Sequence, residues 1–142
     1  MNSDTPIHPG LFTWPSASPE LLGSRCPACG EHAFPAQADC RSCGAGGCEV
    51  VGLGDRGTLW TWTIQGFLPK APYAGGETEA TFRAYGVGYV ELACGLRVES
   101  RLHESDPGEL AIGQPMRLVI EPFGPQGRMI FAFTRDQGSA GA

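Results

Sequence analysis

Four cysteines stand in two closely spaced pairs in the first third of the chain. The pairs are Cys26–Cys29 and Cys40–Cys43, each with two residues between the thiols, and a glycine follows each pair. A tight turn brings two such thiolates onto one ion, and glycine tolerates the positive φ that closes the turn. Two such turns supply four soft ligands in a tetrahedron, which is the geometry of structural zinc. We therefore predict that Cys26, Cys29, Cys40 and Cys43 bind one structural zinc ion.

Disulfide bonds between the same cysteines are the alternative to a metal. The first ten residues show no basic segment followed by an apolar one, so no signal peptide is visible and we expect a soluble cytoplasmic protein. Disulfides are rare in that reducing compartment, and two pairs with matched spacing are typical of zinc sites. Zinc is therefore the favoured interpretation, although iron would fit the same four thiolates.

The two other cysteines do not share this spacing. Cys48 follows Cys43 by five residues and is interpreted as a bystander, with replacement of one metal ligand as the alternative. Cys94 falls at a predicted turn between strands, where a small half-buried residue is the default interpretation. A nucleophilic cysteine needs a base, and His103 is the only histidine nearby in the sequence. No Ser-His-Asp set or carboxylate pair stands out either, so we expect a chain that is not catalytic on its own.

The composition limits the classes of protein to which the chain can belong. Its 142 residues are 42% hydrophobic and 18% charged, and no stretch approaches the roughly 20 apolar residues of a membrane-spanning helix. The 21 glycines and 12 prolines fall between apolar segments, which favours short strands joined by turns. The net charge is −5 and only one of the ten basic residues is a lysine, which argues against a groove for nucleic-acid phosphates.

These features divide the chain into four predicted parts. They are a proline-rich N-terminal arm, a zinc ribbon, an OB-fold and a disordered tail, at residues 1–19, 20–50, 51–136 and 137–142. The ribbon is too short to bury a core of its own, so we expect metal binding to supply its folding energy. The arm carries Phe12 and Trp14, which we expect to dock either on the rest of the chain or on a partner.

Alternating residue patterns predict five strands in the third part, at residues 57–66, 83–93, 96–102, 116–121 and 128–134. In the first strand, the alternation places Thr58, Trp60, Trp62 and Ile64 on one face. Five strands with a break after the third are typical of an OB-fold barrel, with an SH3-like barrel as the alternative. We expect Asp106 to cap a short turn or helix in that break.

Two features around the second strand bear on function. The strand contains Gly86 and Gly88, which we interpret as allowing it to coil sharply, with close approach of a ligand as the alternative. The segment 67–82 before it is a long connection, which we expect to be mobile and functional.

Several short motifs follow one another along the chain, and their order and spacing together resemble those of a known family. They include Gly-x-Arg-Cys-Pro-x-Cys-Gly, Phe-Pro-Ala, Cys-x-x-Cys-Gly, Thr-Leu-Trp-Thr-Trp-Thr, Tyr-Val-Glu-Leu, Gly-Leu-Arg-Val and Leu-Ala-Ile-Gly-Gln, within residues 22–30, 34–36, 40–44, 56–63, 89–92, 95–98 and 110–114. In order and spacing, the chain resembles the acyl-CoA-associated family that joins a rubredoxin-like zinc ribbon to an OB-fold. The resemblance covers residues 20–134 and implies a mostly β protein with these two domains.

The resemblance also implies a function. Members of the family are accessory proteins that assemble with thiolase-like enzymes, ketosynthase-like enzymes or enoyl-CoA hydratases and help to form or gate the acyl-CoA site. Such a partner would carry the chemistry within a hetero-oligomer. Members usually carry a helical segment before the ribbon, whereas this chain has the proline-rich arm.

A CoA thioester is the ligand that this resemblance implies. The candidate contacts to its phosphates are Arg97 and Arg101, which share one face of the third strand, and Lys70 in the long connection. The third strand belongs to the usual ligand face of an OB-fold. A solvated outer face, on which the two arginines pair with Glu99, is the alternative.

Two other functions compete with the accessory subunit. A protein that binds single-stranded nucleic acid would stack bases on Trp60, Trp62 and Tyr89, and an independent small enzyme would need Cys94 or Cys48 as its nucleophile. We favour the accessory subunit of a thiolase-like acyl-CoA enzyme and expect an apolar, aromatic docking surface. The candidates for that surface are Phe12, Trp14, Phe67, Tyr73 and Phe82.

Overall fold

The computed structural model describes residues 5–70 and 73–136. Within them lie eight β-strands, β1 to β8, and one turn of 3-10 helix at Pro107–Glu109. In chain order the strands are Leu22–Arg25, His32–Ala33, Glu49–Gly52, Arg56–Gln65, Tyr85–Leu92, Arg97–Leu102, Pro115–Phe123 and Arg128–Arg135. The prediction of a mostly β protein is confirmed.

The first three strands form a small antiparallel sheet in the order β2-β1-β3. Its central strand β1 pairs with β3 over four residues and with β2 over two. Strands of two to four residues share few backbone hydrogen bonds and bury little apolar surface, so this small sheet needs further support. The two cysteine-bearing turns lie in the connections between β1 and β2 and between β2 and β3, where a bound ion would provide that support.

The other five strands close a barrel in the order β4-β5-β6-β8-β7. Neighbouring strands are antiparallel, except that β6 and β8 pair in parallel. The exchanged order of the last two strands gives the Greek-key connection of an OB-fold. The break after the third barrel strand holds the 3-10 turn, and Asp106 caps it by accepting a hydrogen bond from the Gly108 amide at 2.9 Å. Both the OB-fold and the capping role of Asp106 are therefore confirmed.

One prediction about the first barrel strand is wrong. A β-bulge between Leu59 and Thr61 shifts the alternation of β4, so Trp60 and Trp62 do not share an environment. Trp60 is 44% exposed, whereas Trp62 packs against the core. A bulge adds one residue to a strand, and every later side chain then changes face.

Close packing of the second barrel strand, β5, explains its two glycines. A Cβ at Gly88 would lie 2.5 Å from the carbonyl oxygen of Thr61 and 3.2 Å from the Leu59 and Leu102 side chains. A Cβ at Gly86 would likewise lie 3.1 Å from the Cβ of Leu102. These glycines therefore let the strand approach its neighbours inside the barrel, which accords with the coiling interpretation.

The arm, the small sheet and the barrel share one core. Phe12 from the arm is 4% exposed and contacts the ring of Phe131 edge to face, at 6.3 Å between centroids. Phe34 from the ribbon meets the same ring at 5.6 Å. Leu21 is fully buried in the same cluster. The expectation that Phe12 belongs to a docking surface is wrong, because this residue docks on its own chain.

Three further sequence predictions concern two aromatic residues, the C-terminal tail and membrane-spanning helices. Trp14 is half-buried and packs against the core, whereas Phe67 is 74% exposed. The predicted tail 137–142 lies outside the described residues. In the part of the chain that is described, no helix has the length and apolar character needed to cross a membrane.

Candidate metal centre and outer barrel face

The four paired cysteines lie in two similar turns. Cys26 follows the end of β1, and Gly30 donates its amide hydrogen to the Cys26 carbonyl at 2.8 Å. Gly44 donates to the Cys40 carbonyl at 2.9 Å in the same way. The two glycines have φ values of +81° and +78°, in the region that L side chains rarely adopt. The sequence therefore builds two matching turns, each closed by a glycine.

The turns bring the four thiols into one cluster. All four Sγ atoms lie within 4.8 Å of one another, and two of the Sγ–Sγ distances, Cys26–Cys43 and Cys29–Cys40, are 3.6 Å. Zinc–sulfur bonds of 2.3 Å in a tetrahedron give Sγ–Sγ separations of about 3.8 Å. The donor set and its dimensions thus fit zinc, while the separations are too long for disulfides.

Backbone amides favour the thiolate form of two of the four cysteines. The backbone amide of Cys29 lowers the pKa of the Cys26 thiol to about 6. The amide of Cys43 lowers the pKa of Cys40 in the same way. The Glu31 amide lowers the pKa of Cys29, but the hydrogen bond with Cys40 and burial outweigh it and raise that pKa to about 12. A divalent ion would stabilise all four thiolates together.

The remaining thiols are not part of this cluster. Cys48 is half-buried beside it, and burial raises its pKa. Cys94 is exposed in the turn between β5 and β6. His103, the base considered for Cys94, instead places its Nδ1 3.1 Å from the Glu121 carboxylate. Among the described residues, neither Cys48 nor Cys94 therefore makes a hydrogen bond to a base.

The outer face of the barrel carries the first candidate phosphate contact, Arg97. Its guanidinium carbon lies 4.1 Å from the centre of the Trp60 ring, and its Nε lies 3.4 Å from the Glu91 carboxylate. Tyr89 meets Trp60 edge to face at 6.2 Å. Arg97 is thus held by an aromatic ring and an acid, with 47% of its side chain exposed.

Arg101 has a different environment on the same strand. Its guanidinium lies 3.7 Å from the centre of the Tyr85 ring and 5.0 Å from that of Phe123. Tyr73, from the β4–β5 connection, stacks parallel to Tyr85 at 6.4 Å. Burial raises the pKa of Tyr73, whose hydroxyl has no hydrogen-bond partner among the described residues. Tyr73 therefore packs the connection against the sheet through its ring.

The third candidate contact, Lys70, is exposed on that connection. The structure thus places Arg97 and Arg101 on one face, as the alternation predicts, but gives each of them an aromatic partner. Sequence reasoning missed these partners, because Trp60, Tyr85 and Phe123 come from three strands that are distant in sequence. The alternation of β5 does place Tyr85 and Tyr89 on one face, and this was the available signal.

Comparisons with known proteins agree with this architecture. Two family models match in succession, one described as ChsH2, rubredoxin-like zinc ribbon domain, over residues 14–49, and one described as ChsH2, C-terminal OB-fold domain, over residues 50–121. Benzoylsuccinyl-CoA thiolase subunit BbsA of Thauera aromatica is 33% identical over 116 residues, covering 80% of this chain and 74% of that protein.

Two further relatives extend the comparison. A DUF35 domain-containing scaffold protein of Methanothermobacter thermautotrophicus is 27% identical over 113 residues, covering 75% of this chain and 76% of that protein. Among solved structures, a chain of the Ltp2-ChsH2(DUF35) aldolase superposes with a TM-score of 0.62 at 25% identity. That match covers 82% of this chain and 84% of the solved chain.

Proposed function

Because the chain belongs to the ChsH2 family, in which a rubredoxin-like zinc ribbon precedes an OB-fold, we propose that it is a zinc-binding accessory subunit of a thiolase-like enzyme acting on CoA thioesters. The observation that carries the proposal is the likeness to a thiolase subunit across 80% of the chain. The scaffold protein and the aldolase chain among its relatives also favour a role in assembly.

The zinc ion has a structural role in this proposal. Cys26, Cys29, Cys40 and Cys43 would hold it, and it would supply a tetrahedral cross-link between the two turns of the ribbon. All four ligand positions are filled by protein thiolates, which is the closed arrangement of structural zinc sites. The ion would thus hold the two turns of the ribbon together.

The chemistry belongs to the partner in this proposal. A thiolase reaction needs a nucleophile with an adjacent base, and neither Cys94 nor Cys48 has one among the described residues. The chain would instead contribute a surface to the acyl-CoA site, with Arg97, Arg101 and Lys70 as the candidate contacts to the CoA phosphates. The first two lie on the outer face of the barrel, where a second subunit can reach them.

Reconstitution with the thiolase-like enzyme from the same source tests this function. The isolated chain should not turn over any acyl-CoA, and the mixture should form a stable complex whose thiolysis or condensation activity neither part shows alone. Size-exclusion chromatography followed by assay of the shared peak measures both. The proposal is contradicted if the thiolase-like enzyme is fully active alone, or if it shares no peak with this chain at micromolar concentration. Salt-dependent retention on single-stranded DNA would then favour the nucleic-acid alternative.

A further inference from the structure

A hollow of about 200 Å³ lies on the outer face of the barrel, where β4, β5 and β6 run side by side. Its lining includes Thr61 and Thr63 of β4, Val87 and Tyr89 of β5, and Glu99 of β6. Thr61 is the cross-strand neighbour of Tyr89, and Tyr89 is that of Glu99, so these three residues form one row across the sheet. The hollow therefore has a ring and an aliphatic side chain in its middle, hydroxyls on one side and a carboxylate on the other.

Tyr89 is the ring of this hollow on which a flat ligand can stack. It is 40% exposed. Trp60 contacts it edge to face at 6.2 Å but does not line the hollow, so it supports the ring from the other side. Trp62 packs against the core and offers no ring to the outer face. Stacking on an exposed aromatic side chain is the usual way in which a barrel of this kind holds a nucleic-acid base.

The polar groups of the hollow have hydrogen-bonding capacity to spare. Within residues 5–70 and 73–136, the hydroxyls of Thr61 and Thr63 and the carboxylate of Glu99 make no hydrogen bond or ion pair. A carboxylate only accepts hydrogen bonds, whereas a hydroxyl both donates and accepts. Adenine matches this set, because its exocyclic amine donates and its ring nitrogens accept.

The charges around the hollow suit an uncharged base with a phosphate beside it. Arg97 pairs with Glu91 at 3.4 Å, and Glu99 stands between Arg97 and Arg101 on one strand face, so the hollow itself carries little net charge. Arg101 lines an adjoining hollow of about 360 Å³ and makes no ion pair among the described residues. Its guanidinium is held 3.7 Å from the centre of the Tyr85 ring. A guanidinium fixed in this way can bind a phosphate through two parallel hydrogen bonds.

We propose that the smaller hollow binds the adenine base of a CoA thioester. Tyr89 stacks on the base, Glu99 accepts a hydrogen bond from its exocyclic amine, and Arg101 contacts the neighbouring phosphates. The inference rests on the proposed function for the identity of the nucleotide as CoA, and on the lining of the hollow for the binding of adenine. This chain would then recognise the nucleotide end of the substrate, while the reacting thioester lies in the partner.

The first test uses the zinc-loaded full chain without the partner, and AMP as the probe. AMP should give saturable NMR shifts at the amides of Thr63 and Tyr89, with NOEs between the base protons and the Val87 methyl groups. Purine riboside monophosphate, which lacks only the amine, should bind about two- to tenfold more weakly, as expected for one lost hydrogen bond. Glu99→Ala should bind both ligands equally, whereas Glu49→Ala, on the ribbon, should keep the difference. No saturable shift, or equal binding of both ligands by the wild type, would overturn the proposal.

The stacked ring has its own variants. Tyr89→Phe should keep the affinity for AMP, and Tyr89→Leu, which retains an apolar side chain without a ring, should lower it about fivefold or more. Equal affinities of the two variants would place the base elsewhere. Single-stranded oligo-dA separates the two sources of adenine, and we expect it to bind no more tightly per base than AMP. Much tighter, strongly salt-dependent binding of oligo-dA would overturn the assignment to CoA and favour nucleic acid.

The second test uses the complex and separates this proposal from the proposed function. Tyr89→Leu should raise the KM of the complex for a CoA thioester about fivefold or more. It should leave unchanged the KM for the pantetheine thioester of the same acyl group, which has no adenine. A rise for both substrates, or for neither, shows that adenine is not bound in the hollow, while the accessory function stands. If the wild-type chain does not bind the enzyme, the function fails, and the AMP titration alone decides whether the hollow binds adenine.

Discussion

Gly30 and Gly44 close the two cysteine-bearing turns because each adopts a positive φ. Their φ values of +81° and +78° suit glycine and follow directly from the Cys-x-x-Cys-Gly spacing. Because nothing distant is involved, the thiol cluster could be predicted from the sequence. The surroundings of Arg97 and Arg101 could not, since the rings that hold them come from other strands.

Replacement of one ligand should remove the metal. Cys40→Ser leaves three thiolates, and we expect loss of the zinc equivalent and unfolding of the ribbon, because structural zinc contributes about 10–16 kcal/mol of apparent binding free energy near pH 7. Elemental analysis of the purified variant measures the first effect, and circular dichroism measures the second. Cys94→Ser, which changes an exposed thiol outside the cluster, is the control and should retain one equivalent. A full equivalent in Cys40→Ser would exclude Cys40 from the site.

At the scale of elements, the barrel strands could be predicted and their irregularities could not. A period of two identifies strands such as β5 and β6, but it cannot show the bulge after Leu59 that separates Trp60 from Trp62. The strands of the ribbon have only two to four residues, which is too short for any periodic signal. Their positions depend on the turns that the cysteines form.

Close packing of β5 makes Gly88 sensitive to substitution. Gly88→Ala would place a methyl group 2.5 Å from the Thr61 carbonyl oxygen, and the backbone of β4 must then shift. Overpacking of this kind typically costs about 1–3 kcal/mol, so we expect a lower midpoint of urea unfolding with an unchanged slope. Gly66→Ala meets no atom within 4 Å and should be close to neutral. Equal midpoints for the two variants would show that β5 has more room than its contacts indicate.

At the scale of the whole molecule, the arm and the ribbon are joined to the barrel by aromatic contacts. Phe12 and Phe34 both meet Phe131, so a change in the ribbon reaches the barrel core. Sequence patterns identify apolar faces but not which faces meet, and for this reason the arm could not be assigned to the chain or to a partner. The same joint core leaves the outer face of β4, β5 and β6 available to a second subunit.

The charges on that outer face lead to a prediction about CoA. Glu99 lies between Arg97 and Arg101 on β6, and Glu91 pairs with Arg97, so the isolated face offers phosphates little net attraction. Basic groups that a partner subunit brings to this face would change that balance. We therefore expect the complex to bind CoA roughly tenfold or more tightly than the free enzyme does. Because linkage is reciprocal, CoA should raise the affinity of the enzyme for this chain by the same factor. Calorimetric titration of CoA into the chain, the enzyme and the complex measures the difference.

A double variant shows whether the two arginines contribute to that CoA site. Each exposed charge pair contributes about 0–1 kcal/mol, so Arg97→Ala with Arg101→Ala should raise the KM of the complex for its CoA substrate up to about thirtyfold, with kcat unchanged because the chemistry lies in the partner. Arg41→Ala with Arg83→Ala removes two exposed arginines from other segments and serves as the control. An unchanged KM in the first variant would remove Arg97 and Arg101 from the site. Equal CoA affinity of the complex and the free enzyme would show that the outer face of this chain does not take part in binding CoA.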